Sequence, residues 1–340
     1  MYNDYRSLFK QNAASKGGAI LALQSQVGFR ETIFEYNYAE NGGALSIDAF
    51  TILEIQYLTA RFNYAVHNGG VISASGKSET IIEDSTFANN SCGDSGSVLY
   101  FVGTENNEMN KGSITGNNAG HSNTVMLVYS DMQMSFVNFY DNVAQYFTNG
   151  VYITHSDVEM RTCNFKNNKF PGNALTLEEA AKNSELYGGF IYIGGGTENV
   201  YLYAVNFYNG YAAYGGHVYI ARSVNTVIFS SVIGPSYAKI DGGAFYFSDV
   251  EEVEVYNSEF SENIAISNGN TIYSNSGILA VVACNVTMNS ASTSIYVQRS
   301  KLIIRFSIFY YGSEVISQNT DTVLGNIIFG MDNTFAEIYN

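Results

Sequence analysis

Tryptophan is absent from this chain, proline occurs twice and cysteine three times in 340 residues. Positive charge is scarce as well: 16 Lys and Arg stand against 31 Asp and Glu, a net charge of −15. That balance argues against nucleic acid, whose phosphates are held by clustered Lys and Arg, and against electrostatic docking on anionic lipid. It suits the solubility of an elongated body, and it would attract cations or basic partners. Cys92, Cys163 and Cys284 are too few, and odd in number, for a disulfide framework. No run approaches the roughly 18 apolar residues of a membrane-spanning helix. Residues 1–30 lack the basic start and apolar run of a signal peptide.

What is present is glycine, asparagine, tyrosine and phenylalanine, placed periodically. Hydrophobic residues make up 46% of the chain, enough for a long core and far from the composition of a disordered segment. Glycine pairs recur at Gly17-Gly18, Gly42-Gly43 and Gly69-Gly70, and again at Gly188-Gly189, Gly215-Gly216 and Gly242-Gly243. Their steps are 25 or 27 residues, and most pairs follow a Phe-x-x-Asn unit. Degenerate copies such as Phe87-Ala88-Asn89-Asn90 before Ser95-Gly96, and Phe260-Ser261-Glu262-Asn263 before Asn268-Gly269, fill the interval. A fixed period of this kind marks a solenoid, which grows by adding coils.

Each coil reads as short strands between turns. Alternation follows the glycines, as in His217-Val218-Tyr219-Ile220, and a second strand precedes the motif, as in Ile81 to Phe87. Strands repeating once per coil stack in parallel. The expected fold is all-β: one right-handed parallel β-helix of about twelve coils with ~27 residues each. Phe34, Phe87, Phe139, Phe165, Phe207 and Phe260 are expected to point inward as a stacked aromatic column. Asn12, Asn37, Asn90, Asn117, Asn142, Asn168, Asn263 and Asn289 are expected in a turn, where Asn tolerates left-handed backbone and its amide bonds from coil to coil. A second inward column runs through Ile20, Leu45, Ile72, Val98, Met126, Val151, Ile191, Val218, Phe245, Ile272 and Ile295. Cys163 and Cys284 would share a column several coils apart, too far for a disulfide.

Residues 169–187 break the period and read as a loop insertion in which Leu175, Leu177, Ala180 and Ala181 could form a short amphipathic helix. The array begins inside a repeat at Phe9-Lys10-Gln11-Asn12 and reaches Asn340 without a polar cap. The expectation is one domain over 1–340, a segment of a longer protein that carries its signal and anchor elsewhere.

Gly17-Gly18-Ala19-Ile20, Gly42-Gly43-Ala44-Leu45 and the Phe-x-x-Asn units resemble the repeats of chlamydial polymorphic outer-membrane proteins and of pectin-lyase-like β-helix proteins of protists. The resemblance covers most of the chain in short motifs. It implies a secreted or surface-displayed right-handed β-helix with an adhesive role. No β-barrel translocator follows in this chain.

Chemistry-bearing constellations are sparse. An inverting glycosidase needs paired carboxylates, and a lyase needs Ca²⁺-binding carboxylates beside a basic residue. The chain has no Asp-Asp pair, Gly-His-Gly or Arg-Ile-Lys tripeptide. Asp94 and Asp241 fall just before glycines, in a column with Asn41, Asn68 and Asn268 that reads as a polar turn ladder. Glu251, Glu252 and Glu254 with Asp249 read as an exposed acidic edge or a cation site. His67, His121, His155 and His217 lack metal-ligand spacing. No catalytic, metal or cofactor site is therefore expected. Asn89-Asn90-Ser91 and Asn285-Val286-Thr287 are glycosylation triplets of a kind that Asn-rich chains make by chance.

One surface feature stands out. Tyr152, Tyr192, Tyr219, Tyr246, Tyr273 and Tyr296 each follow the inward post-glycine column by one residue, so alternation turns them outward. An exposed aromatic stripe is a binding face for glycan or protein; the competing reading is a stacking ladder that stiffens the sheet. The functional expectation is a non-catalytic structural or adhesive module, extracellular or at the cell surface. The alternatives are a polysaccharide lyase or glycoside hydrolase, and a component of a large assembly.

Overall fold

The computed structural model describes residues 2–167, 176–182, 185–287, 293–310, 314–329 and 334–338. The chain is a parallel β-solenoid of about 11 turns with ~26 residues per turn, almost free of helix. It divides into two compact units, residues 1–159 and 160–340.

In the first unit a representative coil has strands Leu45–Asp48, Ile52–Gln56, Thr59–Arg61 and Tyr64–Ala65. Each pairs in parallel with its equivalent one coil on: Leu45 with Ile72, Ile55 with Ile82, Ala60 with Phe87 and Ala65 with Cys92. Period-2 alternation sends Ile47, Leu53 and Ile55 into the core, each at most 2% exposed. A full side chain of this size contributes about 2 kcal/mol on burial, so the stack needs no disulfide. All three cysteines are buried and none forms a disulfide. Burial pushes the Cys92 thiol up to about 12 and the Cys284 thiol to about 11, which leaves both protonated and unreactive.

Corners separate the strands, and each turns on a left-handed residue. In the coil just described these are Ala49 and Phe50, then Tyr57, Phe62 and Gly69. The glycine pair forms the last corner. Its first member is left-handed, with φ +64° at Gly42 and +67° at Gly242. Its second member has no space for a Cβ: at Gly43 that atom would lie 2.8 Å from the Tyr64 carbonyl carbon and closer still to the Gly70 carbonyl oxygen.

The Asn motif does a different job from the one expected. The left-handed residue is the one before it (Gln11, Tyr36, Phe62, Asn89, Gly116 and Asp141), and the motif Asn itself is not left-handed. Asn37, Asn63, Asn90, Asn117 and Asn142 are instead buried and form a continuous amide ladder. The Asn63 amide and Nδ2 both donate to Asn90 Oδ1 at 3.0 Å, and Asn63 Nδ2 also donates to the Phe34 carbonyl at 2.9 Å. Asn63 escapes the sequence motif because Ala60 stands where Phe is expected. In the second unit Asn263 Oδ1 accepts from Ser236 Oγ at 2.7 Å, so serine takes a rung. Asn168 and Asn289 lie outside the described residues.

Two further expectations need correction. The inward phenylalanines are buried but do not form one stacked column. Ala60 and Ile114 interrupt the row in the first unit, and Ile233 and Val286 do so in the second. Phe165 and Phe207 stack at 5.4 Å, as do Phe9 and Phe34 at 4.9 Å. The post-glycine column passes through Leu99 and Val125, not Val98 and Met126. Gly96, not Ser95, is the left-handed residue at that corner and its column residue stands three on, as Leu45 does from Gly42; in the next coil Asn123 is left-handed but Val125 follows it by only two residues.

Of the 169–187 insertion, 168–175 and 183–184 lie outside the described residues. Leu177–Lys182 is a helix, capped where Thr176 Oγ1 accepts from the Glu179 amide at 3.1 Å, with Glu178 and Glu179 in its first turn. Ala181 packs with Leu186, Tyr211 and Ala212 in a small cluster beside Tyr237.

Candidate functional site

The post-glycine strands of the second unit, Ile191–Gly194, Val218–Ala221, Phe245–Ser248, Ile272–Val282 and Thr293–Arg305, align their first inward residues and therefore their tyrosines. Tyr192, Tyr219, Tyr246, Tyr273 and Tyr296 are strictly in register. Their rings stack at 5.3, 5.1, 4.8 and 5.5 Å, tilted by 7° or less. Identical residues on strands about 4.8 Å apart stack in this way for geometric reasons. Tyr152 belongs to the first unit. There it pairs with Met126, which in turn pairs with Tyr100, and meets the edge of Phe147 at 5.4 Å.

These tyrosines are half-buried, and Tyr273 is only 7% exposed. Neighbouring rungs occupy the ring faces along the ladder, so a partner would meet ring edges and phenol hydroxyls. Tyr187 and Tyr214 cover part of the ladder. They stack on each other at 5.6 Å and set their edges against Tyr219 at 5.4 Å and Tyr246 at 5.2 Å. Both stand immediately before a glycine pair, a placement that their shared spacing makes readable in the sequence.

Asp241 and Asn268 continue that corner column. Asp241 Oδ1 accepts from the Asn268 amide and Nδ2, both at 3.0 Å. In the first unit Asn41, Asn68 and Ser95 make the comparable ladder, with Asn41 Oδ1 and Asn68 Oδ1 accepting from the next rung's amide at 3.3 and 3.2 Å. Ser95, not Asp94, holds that place, because Ser95 bridges to Ser122.

Burial raises the Asp241 carboxyl above its ordinary value, against the hydrogen bonds from Asn268. Burial also raises the Tyr219 phenol, with Tyr187 and Tyr214 adding to it and Arg222 opposing. The Tyr273 phenol is pushed up to about 12 by burial, then by Asp241 and Tyr296, with Arg299 opposing. Tyr246 is raised by burial and by Tyr273, Tyr219 and Asp241. Phenols held up in this way stay protonated at neutral pH and remain donors. At the far end of the ladder Tyr273 Oη accepts from Gln298 Nε2, and Tyr296 Oη donates to Gln318 Oε1, both at 2.6 Å.

Other singled-out groups do not join this site. Within the acidic edge, Glu254 accepts from Tyr256 Oη at 2.7 Å, and Asp249 from Ser276 Oγ at 3.3 Å. Among the described residues no three His, Cys, Asp or Glu side chains stand in an arrangement ready to enclose a metal. His155 is exposed and stacks on Tyr129 at 4.5 Å. His217 is fully buried between Phe190 and Phe207, each 5.5 Å away, and its Nε2 faces the Gly234 carbonyl at 3.0 Å.

No protein-family model matches the chain, and no curated protein matches it. Among the described residues no helix is long and apolar enough to cross a membrane.

Proposed function

We propose that this chain is a non-catalytic module of the extracellular space or cell surface, structural and adhesive, that holds a protein or glycan along its outer face. The observation that carries the reading is the ladder from Tyr192 to Tyr296, five in-register phenols on one face. Stacked aromatic pairs contribute about 0.5–1.5 kcal/mol each beyond burial, so the array is stiff before any partner arrives. The Tyr296 hydroxyl is committed to Gln318 and Tyr273 is nearly buried, so the donors offered to a partner are those of Tyr219 and Tyr246, which, held in the stack, lose little freedom on binding. Because neighbours occupy the ring faces, recognition runs through hydroxyl donors to acceptors on the partner, not through stacking of sugars on rings.

The test separates the hydroxyls from the stack. The double variant Tyr219→Phe, Tyr246→Phe keeps both rings. Its unfolding free energy should stay within about 1 kcal/mol of the parent. Its adhesion to intact cells or immobilised glycans, measured by biolayer interferometry, should fall at least about fivefold. Unchanged adhesion would assign the ladder to rigidity alone. Turnover of an acidic polysaccharide by the purified chain, abolished by Asp241→Ala, would replace this reading with a lyase or hydrolase.

A further inference from the structure

An outward place in one strand of the first unit carries no side chain. Gly28 lies in the strand Gln26–Arg30 between Val27 and Phe29, which point into the core at 4% and 2% exposure. Its ladder is unbroken: Asn3 pairs with Gly28, Gly28 with Glu54 and Glu54 with Ile81. Glycine inside a strand marks a bulge, a tight bend, or a close approach of backbone or ligand. There is no bulge here, and Gly28 is not left-handed. A Cβ would meet Asn3 Oδ1 at 2.7 Å, the end of an exposed side chain. The nearest backbone atom beyond the chain neighbours, the Glu54 carbonyl oxygen, lies at 4.0 Å. What the missing side chain leaves is a groove of about 310 Å³ that crosses four coils.

The walls of this groove are polar and already oriented. Asp4 Oδ1 accepts from Ser7 Oγ at 2.8 Å, and Asp4 Oδ2 from Thr32 Oγ1 at 3.2 Å. Glu54 Oε1 accepts from Gln26 Nε2 at 3.4 Å, and Glu83 Oε2 from Gln56 Nε2 at 3.2 Å. The second oxygen of each glutamate stays an acceptor for a ligand. Tyr5, Arg30, Gln56 and Glu83 form the next outward row, one rung apart. Contacts with Glu31 at 4.0 Å and the Tyr57 ring at 5.9 Å hold the Arg30 guanidinium, whose donors serve the groove. Tyr5, 64% exposed, offers an apolar ring at the rim. An anionic ligand would meet three carboxylates, and a cationic one would meet Arg30. An apolar ligand would strip water from charges that it cannot satisfy. Donors and acceptors mixed around a small cleft suit hydroxyl groups, which do both. We propose that this groove is a binding site for a neutral saccharide of one or two rings, seated over Gly28 and bonded by Glu54, Glu83 and Arg30. It lies wholly in the first unit, and it stands whether or not the tyrosine ladder holds a partner.

The experiment is saturation-transfer NMR and calorimetric titration of the full chain with cellobiose, lactose, maltose and diacetylchitobiose, and with digalacturonate as the acidic counterpart. At least one neutral disaccharide should bind saturably, with a Kd of about 1 mM, and at least about fivefold more tightly than digalacturonate. Gly28→Thr fills the groove with a residue that strands favour. It should weaken binding at least about tenfold while the midpoint of urea unfolding stays level or rises. Glu54→Ala should weaken binding at least about fivefold. Glu198→Gln, which alters an exposed carboxylate of the second unit, should leave it unchanged. The proposal fails if no neutral disaccharide binds, if Gly28→Thr binds as the parent does, if digalacturonate binds equally well, or if Glu198→Gln loses binding too.

Discussion

Asn90→Ala should unfold on the order of 5 kcal/mol more easily than the parent chain. Asn90 Oδ1 accepts from the Asn63 amide and from Asn63 Nδ2, and Asn90 Nδ2 donates to the Ala60 carbonyl and to Asn117 Oδ1, at 3.0 to 3.1 Å. Truncation removes all four bonds, each contributing about 1 kcal/mol net. It also leaves the buried Asn63 amide without that acceptor, a cost of about 1–3 kcal/mol. The neighbouring residue supplies the control. Asn89 is exposed and left-handed, with φ +54°, so Asn89→Gly should leave stability nearly unchanged. Urea denaturation of the two variants checks the contrast. A loss below about 1 kcal/mol in Asn90→Ala would mean that the ladder is replaced by water at little cost.

Acid should weaken the second unit through His217. The ring is wholly buried, its Nδ1 has no hydrogen-bond partner among the described residues, and burial lowers its pKa to about 4. The folded state therefore keeps the ring neutral, whereas the unfolded chain takes up a proton near pH 6.5. The contribution is fully present above about pH 6.5 and is lost as pH falls toward about 4, by up to about 3 kcal/mol. Carboxylates titrate in the same window, so the measurement is a difference. The stability drop from pH 7 to pH 4 should be smaller in His217→Leu than in the parent, whatever the variant's absolute stability. Identical drops would show that His217 does not titrate on unfolding. Gly210 leaves the room this ring needs, since a Cβ there would collide with His217 Nδ1.

Period and strand type were legible because a solenoid repeats its instructions. The constant step from Tyr192 through Tyr273 put the tyrosines on one row, and they are on one row. What spacing conveys is the rung, not the depth. Nothing in the step showed that Tyr273 would be nearly buried or that Tyr187 and Tyr214 would set their edges on the ladder. Phase errors have a definite cause. A left-handed corner places two outward residues side by side, as at Gln56 and Tyr57 before buried Leu58. Strict alternation carried across such a corner slips by one. The amide ladder was only partly visible, because Asn63 follows Ala60 in place of a phenylalanine.

The left-handed corners have a further consequence, for how this surface can change. A non-glycine residue in that conformation costs roughly 1–2 kcal/mol relative to a right-handed one. Yet Phe50, Tyr129, Phe136 and Phe306 occupy such corners with 53–66% of their surface exposed. Their side chains are not committed to the core, and the corner's demand falls on backbone alone. Drift could exchange them one by one for asparagine or glycine without disturbing the register, gaining stability at each step. Every coil therefore carries a few letters that specify the fold poorly and are free to vary, set at fixed intervals on a frame that stays the same. Such a chain can diversify what it displays while its interior remains untouched.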